Sequence, residues 1–295
     1  VSAVGSGIWA LRAAIEGRVT APVGQPVLLA QAAGLARFVP SRAVRRVDAF
    51  SQRMLLAALL ALEDAAVPRA EPERLGLVVA TGYGPLASTF AFLDDVIDKR
   101  DALASPILFA GAVHNAPASA ISSLTGVRGP TLTVTSLSHA FPEALGLGLD
   151  WLERERVDQV LVVAGDETHP VGAYALGRLG RAEPGWLQPL ECDRCSYLPG
   201  ESYAAVLLGR AQPSAYGEVE GPLRFQGRLP PAEGAIFLCA RGDAAEGPAY
   251  RQAIEGLGAI TAFTHLWGSS PTCDAHTLLA AAISAQLEAS PIRCV

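Results

Sequence analysis

Gly129–Ala140, GPTLTVTSLSHA, is the stretch on which the reading of this chain turns. Arg128-Gly129-Pro130 punctuates a turn, and Thr131–Thr135 (TLTVT) alternates β-branched residues as a strand does. A helical pattern follows from about Ser138 to Glu155, with Pro142 tolerated in its first turn. Gln159–Ala164 (QVLVVA) then reads as a buried strand ending at Gly165-Asp166-Glu167. Strand, sharp turn, helix, strand is a βαβ unit, so this part of the sheet is predicted to be parallel. The turn itself carries the chemical interest. Unpaired N–H groups and the helix dipole gather at a helix N-terminus and favour negative charge there. Ser138 therefore has two readings, an N-cap or a nucleophile whose anion the helix stabilises.

Working outward, Ser51–Ala66 (SQRMLLAALLALEDAA) reads as a mostly buried helix stopped by Pro68. Leu75–Ala80 (LGLVVA) is a short apolar strand leading into the turn Thr81-Gly82-Tyr83-Gly84. That turn is no phosphate loop, because it lacks both the glycine spacing and the Lys-Ser/Thr pair. A second helical pattern ends near Asp98-Lys99-Arg100, and Pro106–Leu124 mixes loop and helix. Further on, Tyr203–Leu208 and Ala235–Cys239 are strands, and Cys273–Leu287 (CDAHTLLAAAISAQL) is an apolar helix. Gly217–Gly234 is rich in Pro and Gly and reads as strand pieces and loops. Alternation of the two element types predicts an α/β fold.

Composition narrows the function. A formal charge of −6 over 295 residues, with Lys99 the only lysine, argues against nucleic acid and anionic membrane surfaces. The longest apolar run, Met54–Leu62, is too short to span a bilayer, and no signal-like series opens the chain. A cytoplasmic setting is expected, and the odd count of 5 cysteines fits reduced thiols. Cys192 and Cys195 form a single C-x-x-C with neither a second pair nor histidines nearby, so no metal site is expected.

GPTLTVTSLS, followed by a helix and VLVVAGDE, resembles the nucleophile region of the β-ketoacyl synthases. Four further stretches agree in order. Val1–Gly17 (VSAVGSGIWALRAAIEG) resembles that family's opening loop and helix, and Arg45–Ala66 the helix after it. Gln188–Ser202 (QPLECDRCSYLPGES) is similar to its acidic Gly-Glu segment, and Thr264–Ser270 (THLWGSS) to its second histidine motif. Ser105–Ala120 (SPILFAGAVHNAPASA) is similar to the chain-length-factor-like subgroup, which partners a true synthase. The resemblance implies the thiolase-like fold: two related α/β halves with mixed five-stranded sheets in a layered αβαβα arrangement. It divides the chain into a ketosynthase-like half, 1–210, and an abridged C-terminal half, 211–295. It implies no cofactor.

In that family a thiol at the strand–helix turn takes the acyl chain from an acyl carrier protein. Two histidines then decarboxylate the malonyl extender and stabilise its enolate, a lysine orders the second histidine, and a Gly-Phe-Gly-Gly loop completes the oxyanion hole. Carried over to this sequence, the thiol position is Ser138, whose hydroxyl needs a well-placed base. The first histidine position is Arg241, a guanidinium with no lone pair to accept a proton. The second is retained as His265, and the lysine is replaced by Ile260. The opening strand and the Gly-Phe-Gly-Gly loop fall outside Val1–Val295.

The resemblance thus implies a subunit whose site, at Ser138, Arg241 and His265, is vestigial. Its partner would be an active ketosynthase in a heterodimer making a polyketide or aryl-polyene-like chain. An acyl carrier protein would be met indirectly, through that partner. Tyr83, Phe90, Leu108, Phe109 and His114 fall where the family lines its acyl tunnel and dimer seam, although core packing explains such apolar residues equally well. His139 reads as structural, and Asp166-Glu167 and Gly200-Glu201 resemble fold-holding motifs. Two alternatives stay open: a serine acyltransferase or hydrolase using Ser138 and His265, and a homodimeric acyl-binding scaffold.

Overall fold

The computed structural model describes residues 1–65, 67–99, 103–178, 187–188, 197–210, 216–219, 221, 235–237, 239, 251–252, 255, 260–288 and 292–294. The chain opens with helices α1 (Ile8–Ile15), α2 (Ser41–Val44) and α3 (Ala49–Asp64). Strand β1 (Leu75–Thr81) is followed by α4 (Leu86–Lys99), α5 (Pro106–Ala112) and α6 (Ala116–Thr125). Then come β2 (Thr131–Thr135), α7 (Ala140–Glu153), β3 (Gln159–Asp166), α8 (Pro170–Arg178) and β4 (Ser202–Gly209). The C-terminal part contributes β5 (Ala235–Phe237), β6 (Ile260–Thr261), α9 (Asp274–Glu288) and β7 (Ile292–Cys294).

The first sheet has the order β2-β1-β3-β4. β1 runs parallel to both β2 and β3, and β4 closes the far edge antiparallel to β3. The βαβ unit from β2 to β3 is parallel as its sequence predicts, but β1 lies between its two strands. The near-continuous apolar runs of β1 and β3 are the mark of strands covered on both faces. Alternate residues divide between two cores, as the period of two requires. Leu75, Leu77, Val79, Leu161 and Val163 pack with Phe50, Met54, Leu55 and Ala58 of α3 and Ile121 of α6. Val78, Ala80, Val160, Val162 and Ala164 pack on Ala140, Phe141, Ala144 and Trp151 of α7 and Ala275 of α9. Each fully buried Leu, Ile or Val contributes about 1.5–3 kcal/mol. α3 starts cleanly because the Asp48 carboxylate accepts the Ser51 N–H at 2.8 Å.

The second sheet, β6-β5-β7, is parallel throughout its described strands. α9 joins the two sheets, with Ala275 in the core under α7 and Cys273, Ala280 and Ile283 in another core with Leu11, Ala14, Leu266 and Trp267. The described layers therefore run helix, sheet, helix, sheet. Five strands per sheet were expected; the described residues supply four and three.

Candidate functional site

The strand–helix turn lies where the sequence puts it, but its cap is different. α7 begins at Ala140, so the N-cap is His139 and not Ser138. Ser136 Oγ accepts from the His139 N–H at 3.2 Å and the Ser138 N–H at 3.4 Å. Ser136 thereby fastens the turn ahead of the helix, and no side chain caps the helix itself. A hydroxyl two residues upstream of a candidate cap was the available signal. Ser138 itself is half-buried, and His139 is exposed.

Beneath this turn lies a knot of buried acids. Asp166, at the end of β3, has no exposed surface. Its Oδ1 accepts from Thr81 Oγ1 at 2.9 Å, Gly82 N at 2.9 Å and Tyr83 N at 2.7 Å, and its Oδ2 from Thr272 Oγ1 at 2.8 Å. Burial pushes the Asp166 carboxyl up, and these donors pull it back toward the charged form. Gly82 must be glycine, since a Cβ there would fall 2.2 Å from Pro271 Cβ and 3.0 Å from the Ser136 carbonyl oxygen. Asp166 thus fastens the turn after β1 to the segment entering α9, and the Ser136 N–H donates to the Thr81 carbonyl at the end of β1 at 3.3 Å.

Glu167 and Glu201 share one cation. Arg53 Nη1 stands 3.6 Å from a carboxylate oxygen of each. Glu167 also accepts the Ala87 N–H at 2.7 Å, in the first turn of α4, where the helix dipole favours an anion. Glu201 accepts the Ala30 N–H at 3.1 Å and the Thr168 N–H at 3.4 Å. Burial pushes the Glu167 carboxyl up to about 7, against the pull of the Ala87 N–H and Arg53 and with the push of neighbouring Glu201. These acids hold backbone, in keeping with the fold-holding reading. Arg53 and Thr272 were missed. A lone arginine just before the apolar run of α3 was a legible signal for a buried anion; Thr272 offered none.

His265 sits on a single 3-10 turn, Thr264–Leu266, between buried Thr264 and Leu266. Its own side chain is exposed, and partial desolvation of the ring lowers its pKa. Among the described residues its ring forms no hydrogen bond, so the structure does not join it to Ser138 as a nucleophile–base pair. Ile260 begins β6. Arg241, Cys192 and Cys195 lie outside the described residues, as does most of Gly217–Gly234.

The five residues expected at the tunnel and seam cluster around the β1 turn, α4 and α5. Tyr83 is half-buried, its hydroxyl 3.3 Å from that of Tyr197. Phe90 is half-buried and stacks on His169, centroids 4.5 Å apart. Leu108 is half-buried, and the neighbouring Phe109 is 54% exposed with its ring 5.4 Å from Phe92. His114 is exposed and lies over Gly84, where a Cβ would come within 2.7 Å of the imidazole. No residue of α4, α5 or α8 is buried, although all three helices are largely apolar. The outer edge of β2 has no strand beside it among the described residues. Leu132 on that strand is 47% exposed and Leu137 beyond it 66%.

A layered α/β protein with a serine at a strand–helix turn and an uncovered apolar flank is the class these features define. Residues 9–214 match the family model "Beta-ketoacyl synthase, N-terminal domain", and the chain belongs to the β-ketoacyl synthase family. No curated protein matches it by sequence. Among solved structures it is similar to "The ishigamide ketosynthase/chain length factor", with TM-score 0.79 and 17% identity over 97% of this chain and 84% of that one. It is similar to a β-ketoacyl synthase from Burkholderia phymatum STM815, with TM-score 0.74 and 13% identity over 97% and 83% of the two chains. A third likeness, TM-score 0.72 and 14% identity over 97% and 90%, is to a type II PKS acyl-carrier protein in complex with its ketosynthase bound to the hexaketide. At these identities the likeness establishes the thiolase-like fold.

Proposed function

We propose that this chain is a non-catalytic, chain-length-factor-like subunit that pairs with a cysteine-bearing ketosynthase and shapes its acyl tunnel in type II polyketide or aryl-polyene-like biosynthesis. The observation that carries the reading is the uncovered apolar flank formed by α4, α5, α8 and the open edge of β2. An open strand edge with exposed apolar residues is a template for another chain. The partner's strand would extend the sheet at β2, and Tyr83, Phe90, Leu108, Phe109 and His114 would border the tunnel across the seam. Ser138, Arg241 and His265 would remain as vestigial positions. The likeness to a ketosynthase/chain length factor, and to a ketosynthase holding its acyl-carrier protein, supports this choice of partner. The division into residues 1–210 and 211–295 belongs to the same proposal.

Co-expression with a cysteine-bearing synthase, followed by sizing and product analysis, tests it. A one-to-one complex whose product length responds to substitutions at the five seam residues is expected. A chain that forms a stable homodimer and ignores the synthase would overturn the proposal in favour of a scaffold.

A further inference from the structure

Two thiols outside the acid knot meet in the core between α1 and α9. Cys239 lies two residues beyond β5, and Cys273 immediately precedes α9. Their sulfurs are 3.0 Å apart. That is only about 1 Å longer than a covalent S–S bond. Both are reduced and buried, among Leu11, Ala14, Leu266, Trp267 and Ile283. Between them in sequence lie Arg241 and His265, the two positions that correspond to the family's histidines.

We infer that Cys239 and Cys273 form a redox-dependent disulfide that staples the end of β5 to the start of α9. The oxidant is a low-molecular-weight disulfide such as glutathione disulfide. Cys239 keeps 6% of its surface exposed and Cys273 none, so when this core opens locally Cys239 is the first to meet the oxidant. Its thiolate, having lost its proton to solvent, attacks one sulfur of the oxidant and expels one glutathione thiolate. Cys273 gives up its proton to the expelled glutathione thiolate. Its own thiolate then attacks Cys239 Sγ in the mixed disulfide and expels the second glutathione thiolate, which is protonated by solvent. One S–S bond is broken in the oxidant and one is made in the protein. Two protein thiols are oxidised, and the oxidant takes up two electrons. The bond closes a loop spanning 34 positions and fixes the strand before Arg241 to the helix after His265.

The test uses the full chain, equilibrated with excess glutathione disulfide or with reduced glutathione, then alkylated under denaturing conditions and peptide-mapped. The oxidised sample is expected to yield a Cys239–Cys273 linked peptide and a Tm higher by roughly 5–10 °C than the reduced sample. Cys192→Ser/Cys195→Ser should keep both the peptide and the rise, and Cys273→Ala should lose both. Recovery of Cys239 and Cys273 alkylated after oxidation would overturn the inference. So would either one held only as a glutathione adduct or linked to another cysteine, or a linked peptide with no rise in Tm. Since the peptide map is read on the wild-type chain, a variant that folds poorly does not blunt the test.

Discussion

β1 and β2 are neighbours in one sheet, paired from Leu77 and Thr131 to Thr81 and Thr135, yet they live in different surroundings. Every residue of β1 is buried, whereas none of β2 is. The same division runs through the helices. α3 and α7 bury their apolar residues under the sheet, while α4, α5 and α8 bury none. The chain's own packing accounts for the first group and leaves the apolar character of the second unexplained. The acid knot sits where the two groups meet: Asp166 ends β3, Glu167 follows it, and the two hold the β1 turn and the start of α4. The buried side is thus a platform that positions an uncovered face.

The sharpest way to break this division is to remove the platform's anchor. Asp166→Ala leaves the Gly82 and Tyr83 N–H groups and the Thr81 and Thr272 hydroxyls without their acceptor. A loss of about 3–5 kcal/mol in urea unfolding is expected. A loss under about 1 kcal/mol would mean the knot is not an anchor.

The next effect is set by pH. Glu167 titrates near 7 in the folded chain against 4.5 as a free side chain, so the folded state holds its proton more tightly. Its contribution is fully present below about pH 4.5 and is lost as pH rises through about 7, a decline of roughly 3 kcal/mol. Asp166, also raised, acts with the same sign. Glu167→Gln, which cannot ionise, should flatten the fall in stability between pH 5 and 8. An unchanged slope would remove Glu167 as its source.

On the uncovered side the expectation reverses. Leu137→Asp should leave unfolding within about 0.5 kcal/mol of wild type, because the side chain is already in water. Its binding to a cysteine-bearing synthase, by titration, should weaken roughly 10- to 100-fold. A destabilised monomer with unchanged binding would erase the contrast between the two strands.

Much of the fold is legible in the sequence for a physical reason: β1, β3, α3 and α7 bury apolar residues against near neighbours, and their periodicity records it. The separation of β2 from β3 by β1 is not legible, since a βαβ pattern gives direction but not adjacency. Nor is the link from Asp166 to Thr272, 106 positions away, or the use of Ser136 rather than Ser138 to hold the turn before α7. At the candidate site the residues themselves are readable, Ser138 and His265 among them, while their exposure is not. Apolar letters such as Leu132 and Phe109 look alike whether their cover comes from their own chain or another.

The smallest expected effect is at Ser138, which we propose to be a vestigial position. Ser138→Ala should change the product yield of the heterodimer less than about 2-fold, since a serine hydroxyl is a far weaker nucleophile than a cysteine thiolate. The most direct measurement exposes the chain, alone and paired with its synthase, to an acyl-carrier-protein thioester and maps the acyl group by mass spectrometry. The account predicts acylation on the synthase cysteine and none on Ser138. A covalent acyl adduct on Ser138, absent from the Ser138→Ala variant, would contradict it.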